Sequence, residues 1–221
     1  MKVSVIIPTK NEPAIADLVK EVHKQLAGIS HEIIVVDKSD KPPRLKNAKL
    51  MIQESDGLGK AVLEGVRVAH GDIIVTMDGD FSHRPEDIKK LVEKTKYYDI
   101  AIGSRFVEGG KTTDSYHRKI VSSLMRKMIS FLLGLHVNDN MSGFIAVRRG
   151  VYKKFKLNPM GYKINMEILY KGKKSGLKIA EVPIIFRKRK YGESKVGLNI
   201  SGLKEFFRIF IYALKLKANL Q

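Results

Sequence analysis

The 221-residue chain contains no cysteine and no tryptophan. The absence of cysteine excludes a disulfide framework, a thiol nucleophile and a cysteine-ligated metal, and it fits a reducing compartment such as the cytoplasm. Long apolar runs are missing too. The longest uncharged stretch near the C-terminus covers residues 209–214, whereas a bilayer span needs about 20 residues. The N-terminus enters an apolar run at once, which predicts that the chain has no signal peptide.

Acidic residues are scarce: 23 Asp and Glu stand against 41 Lys and Arg, a net charge of +18. Such an excess favours polyanionic partners, namely nucleic acid, anionic lipid headgroups or phosphorylated substrates. Much of the positive charge follows residue 105, including the basic run 187–190. No segment interleaves aromatic and basic residues as nucleic-acid stacking modules do. A non-catalytic nucleic-acid-binding protein is therefore the least favoured of the alternatives.

The first half of the chain alternates short β-rich runs with segments of helical periodicity, which predicts an α/β fold with a parallel sheet. The predicted strands are 3–7, 32–36, 48–53, 72–77 and 99–103, and the predicted helices are 13–27, 59–69 and 85–96. The second half is less regular, with expected strands at 142–147 and 180–186 and apolar, basic helices at 120–135 and 203–217. Without an obvious linker, residues 1–221 are expected to form a single domain.

Two aspartates, Asp78 and Asp80, follow the predicted strand 72–77 and flank Gly79. The carboxyl end of a strand is where ligands bind in open α/β sheets. Neighbouring carboxylates repel each other, so the pair requires a cation or hydrogen-bond donors between them, and oxygen ligands suit Mg²⁺ or Mn²⁺. Asp-Gly-Asp is also ordinary turn chemistry. The motif alone leaves a metal site and an acidic turn equally open.

Several further segments resemble a known family. Four of them are similar to the inverting family 2 glycosyltransferases of GT-A type: residues 5–12 (VIIPTKNE), 34–37 (IVVD), 57–61 (GLGKA) and 78–80 (DGD). The later segments resemble the polyprenyl-phosphate (dolichol-phosphate) mannose synthases: residues 103–106 (GSRF), 117–119 (HRK), 139–144 (DNMSGF), 161–163 (GYK), 181–186 (EVPIIF) and 189–195 (RKYGESK). The resemblance runs in order over residues 3–197.

The resemblance implies a GT-A type, mostly parallel sheet flanked by helices, with additional C-terminal amphipathic helices. It implies inverting transfer of mannose from GDP-mannose to a polyprenyl (dolichol-type) phosphate, with Mg²⁺ or Mn²⁺ as cofactor. Residues 1–103 would bind the nucleotide sugar and residues 104–198 the acceptor, while residues 199–221 would form a C-terminal amphipathic helix. Nucleic acid is not an expected partner.

The resemblance also assigns residues to roles. Asp80, Arg105 and Arg118 would be catalytic residues. Arg105 and Arg118 would also bind the acceptor phosphate. The nucleotide sugar would be bound by Pro8, Lys10, Glu12, Val36, Asp37, Asp78, Gly79, Asp80, Arg189 and Lys195, and the metal by Asp78, Asp80 and Ser82. Taken singly, Glu12 is better explained as a carboxylate at a helix N-terminus, and each basic side chain is more commonly a solvated surface charge. Only the combined motifs favour the binding roles.

A lipid phosphate acceptor is already anionic and needs cations to hold it in line, not a general base. A hydroxyl acceptor would need a base, and this alternative stays open. Lys10 stands where the family usually has tyrosine, and Lys38 where it usually has a second aspartate, so a donor such as UDP-glucose also stays open. The protein is expected at the cytoplasmic face of a membrane, held by a membrane anchor subunit or by its own apolar helices.

Overall fold

The computed structural model describes residues 1–188 and 200–218, without the side chains of residues 117, 118 and 200–203. These ranges contain nine strands, seven α-helices and a short 3₁₀ helix at Pro85–Asp87. The strands are β1 (Val3–Thr9), β2 (His31–Asp37), β3 (Lys49–Ile52), β4 (Ile73–Thr76), β5 (Ile100–Ser104), β6 (Lys111–Thr112), β7 (Ile145–Arg148), β8 (Ile179–Pro183) and β9 (Ile185–Phe186). The helices are α1 (Ile15–Gln25), α2 (Leu58–Val68), α3 (Ile88–Lys94), α4 (Tyr116–Leu133), α5 (Arg149–Lys154), α6 (Ile164–Lys174) and α7 (Ile200–Lys217).

Seven strands form one sheet in the order β3-β2-β1-β4-β7-β5-β8. The strands β1, β2, β3 and β4 pair in parallel, as do β5 and β8. Strand β7 lies antiparallel between β4 and β5. The expected mostly parallel sheet is therefore confirmed. The expected single strand at 180–186 was wrong, because the chain leaves the large sheet at Pro183 and β9 pairs with β6 in a separate small sheet. Proline has no N–H to continue a ladder.

The central strands β1, β4 and β5 are buried on both faces, which explains why their sequences are nearly continuous apolar runs. Successive residues of β1 point to opposite sides: Val5 and Ile7 pack with α1 and α3, whereas Ile6 packs with α2 and the second-half helices. Each helix buries its apolar stripe against one of these two faces. The polar residues that follow β1, β2 and β4 are thereby brought to one edge of the sheet.

Helix α7 packs against α4 and α6. Its Ile209, Tyr212 and Leu216 are buried, as expected for a stripe docked on the core. Lys163, at the start of α6, forms a buried ion pair with Glu205 of α7 (Nζ to Oε1, 2.7 Å). Within the described residues, no helix has both the length and the apolar character needed to span a bilayer.

Candidate active site

The carboxyl ends of β1, β2 and β4 form the edge predicted to bind ligand. Pro8 of β1 lies opposite Val36 of β2, and the next pair in the register is Thr9 with Asp37. A Cβ atom added to Gly79 would lie 3.3 Å from Thr9 Oγ1, so the loop after β4 passes directly against the end of β1. The structure thus places Pro8, Val36, Asp37, Asp78, Gly79 and Asp80 at this edge of the sheet, and their binding roles stay predictions.

Asp37 is fully buried and its carboxylate is oriented by Ser39. The Ser39 hydroxyl donates to Asp37 Oδ1 (2.6 Å), and the Ser39 N–H donates to Oδ2 (3.1 Å). The Asn11 N–H in turn donates to Ser39 Oγ (2.6 Å), and Asn11 has a left-handed backbone (φ 51°). Ser39 and Asn11 were not among the predicted site residues. An Asp-x-Ser spacing and an asparagine after β1, both typical of turns, were the available signals.

Lys10 and Glu12 lie in the loop between β1 and α1. The Lys10 side chain is exposed. Glu12 Oε1 accepts a hydrogen bond from the Ala14 N–H (3.2 Å) at the start of α1, where a carboxylate interacts favourably with the helix dipole. This contact matches the helix-terminus interpretation of Glu12. Its role in nucleotide binding stays a prediction.

Asp80 is buried in the loop that follows β4. Its Oδ1 accepts hydrogen bonds from the Ser82 hydroxyl (2.5 Å) and the Ser82 N–H (3.0 Å), and Phe81 between them has a positive φ of 62°. A hydrogen-bonded turn is therefore present at Asp80–Ser82, starting at the last residue of the Asp-Gly-Asp motif. Asp78 is more accessible, with 31% of its side chain exposed. The turn holds Asp80 rigidly while leaving Asp78 open to solvent.

His83 is buried beneath Asp78 and stacks on Phe144, with ring centroids 5.0 Å apart. Its Nδ1 accepts a hydrogen bond from the Asp78 N–H (3.1 Å). Burial lowers the pKa of His83, although the charges of Asp78 and Asp80 oppose that shift. We therefore read His83 as neutral, and the 3.6 Å separation between Nδ1 and Asp78 Oδ2 as proximity without an ion pair. His83 positions the Asp78 backbone.

Arg105 follows β5 and is held by Asp139 through a two-point contact. Its Nε donates to Asp139 Oδ2 (2.8 Å) and its Nη2 donates to Oδ1 (2.9 Å), while Nη1 lies 3.9 Å from Asp114 Oδ2. Burial alone would lower the pKa of Arg105, but hydrogen bonding to Asp139 raises it, and the charges of Asp114 and Asp78 add to this. Nη1 is the guanidinium nitrogen that makes no hydrogen bond to Asp139.

Three predicted residues cannot be placed. The side chain of Arg118, on α4, and the whole of Arg189 and Lys195 lie outside the described residues. Their assignment to the acceptor phosphate and to the donor pyrophosphate stays a prediction.

The carboxylates at this edge are too few to enclose a cation by themselves. They suit a cation that is also coordinated by a bound ligand. In residues 1–188 and 200–218, no group of three or more histidines, aspartates or glutamates is arranged to hold a metal. Asp78 and Asp80, with the Ser82 hydroxyl beside them, form a smaller set. Mg²⁺ commonly uses one or two carboxylates and completes its coordination with water and substrate phosphates. Asp78 and Asp80 suit that mode of binding.

The mostly parallel sheet flanked by helices is a GT-A-like fold. The sequence pattern of glycosyl transferase family 2 matches residues 4–156, and the chain belongs to this family.

Curated relatives narrow the comparison. The chain is 42% identical over 212 residues to a dolichol-phosphate mannosyltransferase of Pyrococcus furiosus, covering 89% of this chain and 59% of that protein. It is 36% identical over 154 residues to an undecaprenyl-phosphate mannosyltransferase of Micrococcus luteus, covering 66% and 63%. A polyprenol monophosphomannose synthase of Mycolicibacterium smegmatis is 34% identical over 218 residues, covering 89% and 82%. The match therefore spans less than two thirds of the first two relatives.

Solved structures share the fold at low sequence identity. Glucosyl-3-phosphoglycerate synthase from Mycobacterium tuberculosis, in complex with Mn²⁺, UDP and phosphoglyceric acid, superimposes with a TM-score of 0.74 at 21% identity, covering 97% of this chain and 77% of that one. The same enzyme with Mg²⁺ and UDP gives a TM-score of 0.72 at 20% identity, covering 97% and 78%. This likeness establishes the fold.

Proposed function

We propose that this glycosyltransferase transfers mannose, with inversion, from GDP-mannose to a polyprenyl phosphate at the cytoplasmic face of a membrane, using Mg²⁺ or Mn²⁺. The observation that carries the proposal is the pair of carboxylates Asp78 and Asp80 in the loop after β4, where Ser82 orients Asp80 and Asp78 is open to solvent. A cation beside a carboxylate edge is what two anionic substrates require if they are to approach each other. The names of three relatives between 34% and 42% identical support the substrate class.

The donor would occupy the edge formed by β1, β2 and β4. Asp37, buried and oriented by Ser39, would lie beside the nucleoside. Asp78 and Asp80 would hold the divalent cation, which when bound neutralises the pyrophosphate and acts as a Lewis acid toward the leaving group. Because Asp80 is locked by Ser82, its carboxylate would need little reorganisation on binding.

The acceptor phosphate would approach Arg105 at Nη1, because Nε and Nη2 are engaged by Asp139. It would compete there with Asp114, whose Oδ2 lies 3.9 Å from Nη1. A phosphate oxygen that attacks the anomeric carbon is already ionised and gives up no proton, so no general base is needed. His83 is buried and its Nδ1 is occupied by the Asp78 N–H, which agrees with a reaction that does not use it as a base. Asp78 would be the nearest candidate base if the acceptor were instead a hydroxyl.

An acceptor comparison tests the reaction directly. The full chain would be incubated with labelled GDP-mannose and Mn²⁺, together with a polyprenyl phosphate in one arm and the corresponding polyprenol in the other. We expect label in the lipid phase only with the phosphate. Equal transfer to the polyprenol would overturn the role given to Arg105, and no lipid-phase label in either arm would overturn the proposed function.

The donor base is tested by nucleotide binding. We expect GDP with Mn²⁺ to raise the melting temperature more than UDP with Mn²⁺. The nucleotide that binds the folded state more tightly stabilises it more. Asp80→Asn keeps the acceptor for Ser82 but removes the charge, so the metal-dependent part of the shift should disappear. Asp17→Asn, an exposed aspartate on α1, is the matched control. A larger shift with UDP would contradict GDP-mannose as the donor and indicate a UDP-sugar instead.

The membrane surface is the proposed location because α4 and α7 pack together and both expose large apolar side chains. The most exposed is Phe131, with 90% of its surface accessible. The others are Ile120 and Leu124 on α4, and Phe207, Ile211 and Leu214 on α7. The exposed cations Lys127 and Lys215 lie on the same helices and would face anionic headgroups. This arrangement suits an interfacial helix pair and would allow the chain to bind the membrane directly.

Vesicle flotation tests this location. The double variant Leu124→Ser/Phe131→Ser should release the protein from vesicles that contain anionic lipid, because it removes about 2–3 kcal/mol of apolar transfer free energy per side chain. The control is Tyr97→Ser, which changes an exposed aromatic residue that belongs to neither α4 nor α7. Unchanged flotation of the double variant would show that these helices do not bind the membrane.

A further inference from the structure

A cavity of about 560 Å³ lies between α4 and the segment that follows it. It shares no lining residue with the edge formed by β1, β2 and β4. Its lining combines cationic, hydroxyl and apolar side chains: Phe106, Ser123, Arg126, Lys127, Ser130, Leu135, His136, Val137 and Asn138. The volume falls within the range of roughly 300–1,000 Å³ typical of small-molecule sites.

Arg126 is the unusual member of this lining. Only 7% of its surface is exposed. Its Nη1 donates to the Asn138 carbonyl, and its guanidinium carbon lies 3.4 Å from the centre of the Phe106 ring. Its Nε is buried and has no hydrogen-bond partner within the described part of the chain. Buried N–H groups are nearly always paired, so the hydrogen-bonding capacity of Arg126 is incompletely satisfied by the described part of the chain.

The charge of Arg126 is also left without a counter-ion. No carboxylate among residues 1–188 and 200–218 forms an ion pair with it, whereas the neighbouring Arg105 is neutralised by Asp139. Burial lowers the pKa of Arg126, and Asp139 and Glu181 oppose this only through longer-range attraction. Buried charges are normally paired because leaving water is costly. An anion in the cavity would supply the missing charge.

Two further groups reinforce this anionic preference. The Ser123 hydroxyl lines the cavity one helical turn before Lys127, which is exposed and also lines it. Together with Arg126 they offer the planar guanidinium, hydroxyl and ammonium donors that bind phosphate oxygens. Phe106, Leu135 and Val137 line the remainder and would contact a less polar part of the same ligand.

We propose that this cavity is a second anion site that binds a phosphate group, through Arg126, Ser123 and Lys127. The phosphate belongs either to the headgroup of an anionic phospholipid or to a small soluble phosphate. The competing explanation is that ordered water fills the cavity and solvates Arg126, in which case neither form of phosphate would saturate the site.

The test follows the Nε–Hε signals of the arginines by ¹H–¹⁵N NMR in the full chain. Arg126→Lys assigns the Arg126 signal, and the Arg105 signal, from a group bonded to Asp139, serves as an internal reference. One titration uses inorganic phosphate and the other uses bicelles with and without phosphatidylglycerol. We expect a saturable change in the Arg126 signal. A change confined to Arg105, or none at all, would overturn the proposal.

Calorimetry with substituted chains checks that the response comes from the cavity. The double variant Ser123→Ala/Lys127→Gln should weaken phosphate binding about tenfold, since it removes a hydroxyl donor and a charged donor worth about 1.4 kcal/mol or more together. Lys89→Gln, at an exposed lysine on α3, has the same loss of charge and should bind within twofold of the parent chain. If the double variant and Lys89→Gln weaken phosphate binding equally, the phosphate is attracted to the basic surface in general, and the proposed site is overturned.

The two arms separate the sources of the phosphate. Saturation by inorganic phosphate identifies a site for soluble phosphate groups, and saturation only by phosphatidylglycerol bicelles identifies a headgroup site. Either result supports the anion site. Because the readout is Arg126 and uses no donor or acceptor substrate, it is independent of mannose transfer and can succeed even if the proposed function fails.

Discussion

Asp139 holds the Arg105 guanidinium at two points, Nε to Oδ2 at 2.8 Å and Nη2 to Oδ1 at 2.9 Å, and also accepts the Arg105 N–H at 3.0 Å. Asp139 is in turn fixed by Glu181, whose carboxylate accepts the backbone N–H groups of Asn138 and Asp139. The direction in which Arg105 points is therefore set by residues far away in the sequence.

Replacing Asp139 with asparagine should both destabilise the protein and misdirect Arg105. Removing one partner of a buried ion pair leaves an uncompensated charge, at a cost of about 3–5 kcal/mol. Urea unfolding measures the loss, and transfer to the acceptor should fall with it. Asp17→Asn breaks an exposed pair with Lys20 and should change the free energy of unfolding by less than about 1 kcal/mol. Similar values for the two variants would contradict the structural role of Asp139.

Gly143 is expected to matter for activity because it packs against Asp78. A Cβ atom at this position would lie 3.1 Å from Asp78 Oδ1 and 3.1 Å from His83 Cε1, so Gly143→Ala must displace one of them. The shift needed is a few tenths of an ångström. Since misplacing a reacting group by about 1 Å can reduce the rate about a hundredfold, we expect a smaller loss of kcat, roughly threefold to tenfold.

The control for that substitution is Gly150→Ala on α5, where an added Cβ meets nothing within 4 Å. It should leave the rate unchanged and slightly stabilise the helix, since alanine is favoured over glycine by about 1 kcal/mol. If the Gly143→Ala and Gly150→Ala variants have the same kcat, the contact with Asp78 has no catalytic importance.

The docking of α7 depends on a hydrogen bond between Tyr212 and Glu167. The Tyr212 hydroxyl donates to Glu167 Oε2 at 2.7 Å, and Glu167 is fully buried. Tyr212→Phe should lower the free energy of unfolding by about 1.5–3 kcal/mol, as expected for a hydrogen bond to a charged group. Tyr97→Phe, at a residue with 75% of its surface exposed, should have no measurable effect in the same thermal unfolding experiment. Equal melting temperatures would show that the hydroxyl does not anchor α7.

Glu32 predicts an acid-sensitive contribution to stability. Burial would raise its pKa, but hydrogen bonds from Ser4 and His70 and the nearby Lys2 lower it from 4.5 to about 2. Since the pKa is lower in the folded state, the stabilisation is complete above about pH 4.5 and is lost as the pH falls toward 2. The free energies of unfolding of the parent and Glu32→Gln should therefore differ at pH 7 and converge near pH 2.

The matched control for Glu32 is Glu93→Gln, at an exposed glutamate on α3. Its difference from the parent chain should be small and should not change over the same pH range. A Glu32→Gln difference that stays constant from pH 7 to pH 2 would contradict the lowered pKa.

The sequence predicts the elements whose patterns are local. Strands β1, β2, β4 and β5 are buried apolar runs bounded by polar residues, and α1 and α2 have the spacing of amphipathic helices. Helix α6 was not predicted, because nearly every residue of its first two turns is buried and no polar face marks the period. The antiparallel direction of β7 depends on pairing with β4 and β5, which no local pattern indicates.

The same distinction applies to the site. Asp37, Asp78 and Asp80 follow buried strands directly, so their position at one edge follows from the parallel pairing. Asp139 was not recognised as the partner of Arg105, since 34 residues separate them. Arg148 belongs to the basic excess of the second half, yet its guanidinium donates to the Thr95 carbonyl at the end of α3 (2.8 Å). A count of positive charge cannot separate such structural arginines from those that face a ligand.

Strand β7 has a consequence for how the protein is made. It lies between β4 and β5, although it is synthesised more than 40 residues after β5 ends. Until the ribosome has released residue 148, the two halves of the large sheet have no strand to join them, and β4 and β5 both present open edges. Long-range pairing of this kind is slow to form and exposes apolar strands to other chains. We therefore expect chains that end before β7 to aggregate.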